Sequence, residues 1–344
     1  MLGLTKTLSA CVVILFLALA SLAQSVEQTV LFPIKQNDKY GFIDRSGRVV
    51  ISPRFDYGST FSEGLALIII GQRRSYIDSA GQVVVQGDFK TTEDFSEGLA
   101  AVTLEINSEE RWGFIDPTGK WVIQPQFDQA CSFSEGMAEV KMNGKWGFIN
   151  KDGISVIQPQ FDFTSQFSEG LALIEVNKKY GYVNRSGKTT IKPQFEEGTW
   201  IFHEGLAVAK RDGKYGFIDK AGKFVIEPKF ERARDFSDGL ALVELDGESS
   251  YVDRNGKMII PPSYNYHSDF SEGLVSVSIL LKVGYMDKTG RVVIEPDFTL
   301  ASDFSNGLAE VYIAGQSAYI NKQGKVIWKG PPPIDDRGIN KDKK

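Results

Sequence analysis

Acid–base or nucleophilic chemistry in this chain would have to come from two histidines, two cysteines or a regular series of acids. His203 and His267 are the only imidazoles, the side chains best suited to moving protons near neutral pH. His203 stands where other copies of a Phe-Ser-Glu-Gly phrase carry Ser, so it reads as a turn residue. His267 lies in a Tyr-rich linker without a Ser or Cys nucleophile motif beside it. Cys131 neighbours a linker Phe and reads as a small buried hydrophobe, not a reactive thiol. The acids recur too regularly for catalysis. One series is Glu63, Glu97, Glu135, Glu169, Glu204, Asp238 and Glu272, with Asn306 in the last copy. Glycoside hydrolysis needs two carboxylates in unlike roles, whereas equivalent repeat positions supply turn and cap partners. A second series opens Asp/Asn-x-x-Gly turns with one acid or amide each, and a calcium loop needs several alternating acids plus a distant Glu. We therefore expect no catalytic residue, no cofactor and no metal site. The candidates for ligand binding are the aromatics Tyr40, Trp112, Trp146, Tyr180 and Tyr215, whose faces could stack sugars or ligand cations. The competing role for the same rings is packing between units.

What positions these residues is a repeat of about 34 residues. The acidic position of the Ser-Glu-Gly-Leu-Ala phrase advances in steps of 34, 38, 34, 35, 34, 34 and 34. Fixed Gly and interior Pro would break a helix pair. The segments between them are short and rich in Val, Ile, Phe and Tyr, as strands are. Three strands are expected per unit. Strand c is Leu-Ala-x-Val, as at 137–142, and ends in a tight turn such as Asn143-Gly144. Strand a, as at 146–150, leads into the Asp/Asn-x-x-Gly turn. Strand b, as at 121–124, runs to the Pro of an Ile-x-Pro-x-Phe phrase. A linker of about ten residues follows, with a Phe (61, 95, 133, 167, 202, 236, 270, 304) to plug the gap between units. The longest step adds four residues at 107–110, the tip of a c–a turn, where a hairpin tolerates them. With a first strand c at 29–34 and a last a and b at 319–328, the chain holds nine complete three-stranded units. The expected fold is all-β, a tandem repeat in an open superhelical stack, because no strand is left over to complete a last blade. A closed propeller-like ring is the alternative.

The chain has 344 residues, 39 basic and 44 acidic side chains, and a formal charge of -5. Without a basic cluster, nucleic acid and anionic membrane are excluded as the main partners. Residues 1–23 carry Lys6, an apolar run from Ala10 to Ala20 and Ser21-Leu22-Ala23, the pattern of a signal peptide cleaved before Gln24. Its apolar run is short for a membrane span, so no membrane insertion is expected after cleavage. Cys131 would then be the only thiol, and stability must come from packing without a disulfide. Residues 24–328 form the repeat domain. Residues 329–344, with three Pro and few apolar groups, read as a disordered polar tail.

The phrase Trp112-Gly113-Phe114-Ile115-Asp116, then Gly-Lys, Ile123-Gln124-Pro125-Gln126-Phe127 and Phe-Ser-Glu-Gly, resembles the bacterial WG-repeat family. The resemblance covers residues 29–328. The name-giving pair is intact at 112–113 and 146–147, is Tyr-Gly at 40–41, 180–181 and 215–216, and is lost at Arg74-Ser75, Ser249-Ser250, Val283-Gly284 and Ser317-Ala318. Membership implies an exported or envelope-associated repeat protein without enzymatic chemistry. The expected function is a non-catalytic binding or scaffold module, periplasmic, cell-surface or secreted, with a protein or cell-envelope polysaccharide as partner. The alternative is a polysaccharide-acting hydrolase with its acids hidden among the repeats.

Overall fold

A computed structural model of the protein describes residues 30–332 apart from 199–200, 263–264 and 267. The segment 1–23, His267 and most of the tail (333–344) therefore lie outside the described residues. The chain divides into Met1–Val30, of which only Val30 is described, and Leu31–Lys344. The described residues of the second unit are all-β: nine small antiparallel sheets of three or four strands, spanning residues 32–55, 57–86, 100–127, 129–161, 163–195, 197–230, 232–260, 265–298 and 300–329. They are the nine blades of a propeller, and below they are numbered in that order.

Strands c and a pair as a hairpin wherever the sequence places them, for example Met137–Met142 with Lys145–Asn150. Asn143 and Gly144 both hold left-handed φ, 50° and 80°, as a two-residue hairpin turn requires. The a–b turn also forms as expected. Gly153 donates its N–H to the Asn150 carbonyl at 2.9 Å, and Asn150 Oδ1 accepts from Asp152 and Ile154. The repeated acid or amide is thus consumed by its own turn.

Strand b extends further than its Pro. In blade 4 it is Ser155–Phe161, and its pairing with strand a jumps from Phe148↔Ile157 to Trp146↔Phe161. The extra residues form a bulge around Pro159, whose missing N–H needs no partner there. Opposite the bulge lies Gly147. A Cβ on it would sit 2.4 Å from the Ile157 carbonyl oxygen and 2.6 Å from Pro159 N. The Gly of strand a and the Pro of strand b are therefore two halves of one close contact. The contact recurs: Gly41, Gly113, Gly181, Gly216 and Gly284 face Pro53, Pro125, Pro193, Pro228 and Pro296 in the same way. Blades 2 and 9 lack the Ile-x-Pro-x-Phe phrase and carry Ser75 and Ala318 instead, whereas blade 7 combines Ser250 with Ile260-Pro261-Pro262, so the pairing of Gly with Pro is not strict.

A fourth strand, unforeseen in the sequence, precedes strand c in most blades. It is only two residues long, as at Gln129–Ala130, which pair with Lys141 and Val140. It follows the Phe of the preceding strand b by two residues, so the chain passes from one edge of a blade to the opposite edge of the next. Blade 1 has no such strand among the described residues.

Blades pack face to face through the linker Phe. Each of the eight lies with its ring 4.8–5.0 Å from an aromatic of the preceding blade's strand a, as Phe167 does on Phe148. A ninth contact joins the ends: Tyr319 packs on Phe32 at 5.6 Å and donates its hydroxyl to the Pro33 carbonyl at 2.8 Å. Gly47 of blade 1 also abuts the backbone of Ile327 in blade 9. The open stack expected from strand counting is thus corrected to the alternative, a closed ring. Among the described residues no strand is exchanged at closure; at the seam a strand c residue, Phe32, takes the part that a linker Phe plays between the other blades.

Candidate functional site

The ring has two rims. The Ser-Glu-Gly and a–b turns form one, and the c–a hairpin turns with the starts of the short strands form the other.

On the first rim the repeated Glu holds blades together. Each is a non-glycine residue at positive φ, such as Glu135 at 54°. Its carboxylate accepts the N–H of the corresponding Gly in the next blade: Glu97 from Gly136 at 2.9 Å, Glu135 from Gly170 at 2.9 Å. A cation from that next blade's a–b turn joins it, as Lys151 does on Glu97 at 3.2 Å and Arg185 on Glu135 at 2.7 Å. Burial pushes the Glu135 carboxyl up, but Arg185 and the Gly170 N–H outweigh it and leave the group below its usual range. Glu169 and Glu272 behave alike with Lys220 and Lys322. These acids are held ionised, one per seam. His203 takes the Ser place in such a turn, donating its N–H to the Leu206 carbonyl at 2.9 Å.

The five aromatics sit at the start of strand a, near the hairpin rim, one per blade and half-buried. Trp112, Tyr180 and Tyr215 pack on the cores between blades, and Tyr40 does likewise beside Tyr57 at 5.6 Å. Ring faces are covered by cations from strand c: Lys35 over Tyr40, Lys141 over Trp146, Lys210 over Tyr215. The row does not converge on one pocket. Its geometry fits packing between blades, with ring edges left at the surface.

Acids that the sequence motifs did not single out lie in the linkers. Asp94, Asp235, Asp269 and Asp303 each precede a plug Phe, a regularity visible in the sequence. Burial pushes Asp269 up against the partial relief of Arg234, 3.6 Å away. Burial also raises Asp303, on which the blade 7 Arg234 acts from across blade 8. Such reach is possible only close to the ring axis, so the linkers face inward. Among the described residues no group of three or more His, Cys, Asp or Glu could hold a metal ion.

Among the described residues Glu139 is the most deeply buried acid, 7% exposed on strand c of blade 4. Burial raises its carboxyl, and hydrogen bonds from Thr164 and Cys131 only partly offset this. Beside it the Cys131 thiol is pushed up to about 12 by burial and by Glu139, which keeps it protonated and inert. A raised folded-state value means the protonated form is favoured by folding, so this stability is present at low pH and lost as pH rises. Glu139→Gln should therefore raise stability at pH 8 by about 1 kcal/mol or more. The gain should shrink towards pH 4, as read from thermal melts at both values.

The hairpin rim holds one irregular sector. In blade 8 the c–a turn is Leu280-Leu281, both at positive φ (49° and 65°) and each 94% exposed. Other blades place Asn, Asp or Gly first in this turn, or Ala in blade 9. On blade 9 the neighbouring short strand adds Leu300, 63% exposed. Between other blades this rim carries ion pairs, Lys39–Asp56, Arg111–Asp128, Lys145–Asp162 and Lys214–Glu231. Between blades 8 and 9 the acid's place is taken by Thr299, and Lys282 donates to the Asp297 carbonyl.

Among the described residues no helix is long and apolar enough to cross a membrane. A family model described as "WG containing repeat" matches eight consecutive segments: 40–72, 75–105, 112–146, 146–180, 180–215, 215–248, 250–279 and 284–315. No curated protein sequence matches the chain. Among solved structures it is similar to one described as a eukaryotic initiation factor, with TM-score 0.57 and 11% identity over 88% of this chain and 96% of that one. It is also similar to the dihydro-heme d1 dehydrogenase NirN, with TM-score 0.48 and 12% identity over 89% and 74%. A third is Hsv2p of Kluyveromyces lactis, with TM-score 0.43 and 10% identity over 71% and 97%. At these identities the likeness concerns the fold alone.

Proposed function

The chain belongs to the WG-repeat family, and on that footing we propose that it is an exported, non-catalytic scaffold that binds a protein partner through its hairpin rim. The observation that carries this reading is Leu280-Leu281. Two leucines almost fully in water gain nothing from folding by burial, and each holds a backbone conformation that costs it about 1–2 kcal/mol. Such a breach of local preference is retained where the surface is used. Burying them against a partner recovers roughly 1.5–3 kcal/mol per side chain. A sugar ligand is less well supported, because cations already cover faces of Tyr40, Trp146 and Tyr215. The absence of enzymatic chemistry is supported by the Glu series, whose members are engaged one per seam and never as a converging pair.

Changing Leu280→Asn together with Leu281→Gly should stabilise the fold by about 1–2 kcal/mol. The same variant should lose partners that the wild-type chain captures from envelope extract, with purified glycans tested in parallel. Equal capture by both proteins would refute the reading of this rim. A turnover abolished by one acid-to-amide change at unchanged stability would overturn the non-enzyme assignment. Export is tested separately: the secreted product should begin at Gln24, and an intact Met1 would contradict it.

A further inference from the structure

We propose that the outer edge of blade 2 pairs with the same edge of a second copy, Gln82–Gln86 running antiparallel to its own two-fold image. Strand b ends every sheet, on the side away from the inward-facing linkers. Among the described residues its outer edge therefore has no strand beside it. Such an edge pairs with other chains unless Pro, charge or a bulge guards it. Blades 1, 3, 4, 5, 6 and 8 are guarded by the Pro of Ile-x-Pro-x-Phe and the register shift around it. In blade 7 Pro261 and Pro262 follow Ile260 directly, and in blade 9 Lys325 and Lys329 bracket the strand. Blade 2 has only Val and Gln between Gly81 and Gly87, with neither Pro nor charge. Val83 and Val84 stand 48% and 40% exposed. Short, neutral, β-branched runs without Pro are the ones that pair most readily.

The occupant follows from self-complementarity. Gln82-Val83-Val84-Val85-Gln86 reads the same in both directions. Antiparallel pairing about Val84 sets Gln82 opposite Gln86, Val83 opposite Val85 and Val84 opposite itself, an isologous contact. Valines then meet valines, and Gln amides, each donor and acceptor, meet amides. Each copy carries a formal charge of -5, yet this stretch brings no charge against its like. Val84 suits the axis by its place in the blade as well: strand a pairs Tyr76 with Val85 and Ile77 with Val83, and passes over Val84. Blades 3 and 4 share that irregularity, so the missing guard is what sets blade 2 apart. A two-fold pair consumes both edges, and the assembly closes at two copies. Five residues a side are few beside the roughly 20–30 of a stable interface, so the dimer dissociates on dilution. Leu280-Leu281 belongs to another blade and rim and stays open to its own partner.

Oxidative cross-linking of single-cysteine variants tests this, in the full chain carrying Cys11→Ser and Cys131→Ser. A disulfide needs Cα atoms within about 7 Å, and opposite residues of an antiparallel pair lie about 4.5–5.5 Å apart. Val84→Cys should therefore collect as a covalent dimer. Val122→Cys, at the same position of the Pro-guarded blade 3 and 46% exposed, should show only the background from collisions. Gln82→Cys and Gln86→Cys each lie about 13 Å from their own counterpart, four residues along a strand. Neither should cross-link alone, whereas a mixture of the two should give the mixed dimer. Equal cross-linking of Val84→Cys and Val122→Cys would overturn the proposal. So would Gln82→Cys chains that link to one another and not to Gln86→Cys, the signature of parallel pairing.

Discussion

Gly147→Ala should cost about 3 kcal/mol or more, near the upper end for overpacking a protein interior. The added methyl meets backbone atoms on the far side: the Ile157 carbonyl oxygen at 2.4 Å and Pro159 N at 2.6 Å. Neither can rotate away as a side chain would, and moving them dismantles the bulge that seats Pro159. The reverse change at the matching site of blade 2, Ser75→Gly, should cost only about 0.5–1 kcal/mol, the penalty for glycine in a strand. There the facing strand, Val83–Gln86, has no Pro and pairs in regular register with Ser75 and Tyr76, its register shift lying further on, between Tyr76 and Ile77. Transplanting that strand into blade 4 in place of Ser155–Phe161 should remove much of the Gly147→Ala penalty. Urea melts of the four proteins test the coupling; an additive result would separate the two motifs.

Phe167→Ala should destabilise the protein by roughly 3–5 kcal/mol, the usual cost of emptying a buried aromatic site. Phe167 is 1% exposed, its ring lies 4.8 Å from Phe148, and its carbonyl accepts the Ser134 hydroxyl at 2.8 Å. It therefore closes a seam from both its backbone and its side chain. Phe148→Ala, alone and combined with Phe167→Ala, isolates the ring–ring share, expected at about 0.5–1.5 kcal/mol beyond burial. A loss below 1 kcal/mol for Phe167→Ala would mean that this ring does not plug the seam.

The repeat, the c–a–b hairpins and the turn acids were legible because each rests on local chemistry. Asn143-Gly144 and Asn150…Gly153 can adopt few other conformations, and the alternating strands follow. Closure was not legible. Whether nine units meet depends on a small rotation per blade, accumulated around the ring, and no single residue reports it. The short strands escaped notice because two residues carry no alternation, and Gln129-Ala130 looks like any linker. In the candidate site, the aromatic row could be read from Tyr40 to Tyr215, but not that lysines cover the rings, since Lys141 meets Trp146 only through strand pairing. Leu280-Leu281 was visible as a departure from the Asn-Gly type of turn. Its weight lies in exposure and left-handed φ, which only the fold supplies. Glu139 sits among apolar strand residues with nothing local to mark it, and its burial comes from blade 5 laying Thr164 across it.

The closed ring underlies every part of this account, and one distance tests it. Spin labels at Asp38→Cys in blade 1 and Pro331→Cys in blade 9, in a Cys131→Ser background, mark two residues that line the same cavity across the seam. Pulsed electron–electron double resonance should return a single population within about 20 Å, two sheet spacings. An open stack would separate the labels by eight spacings, on the order of 80 Å. A dominant distance in that long range would contradict the ring.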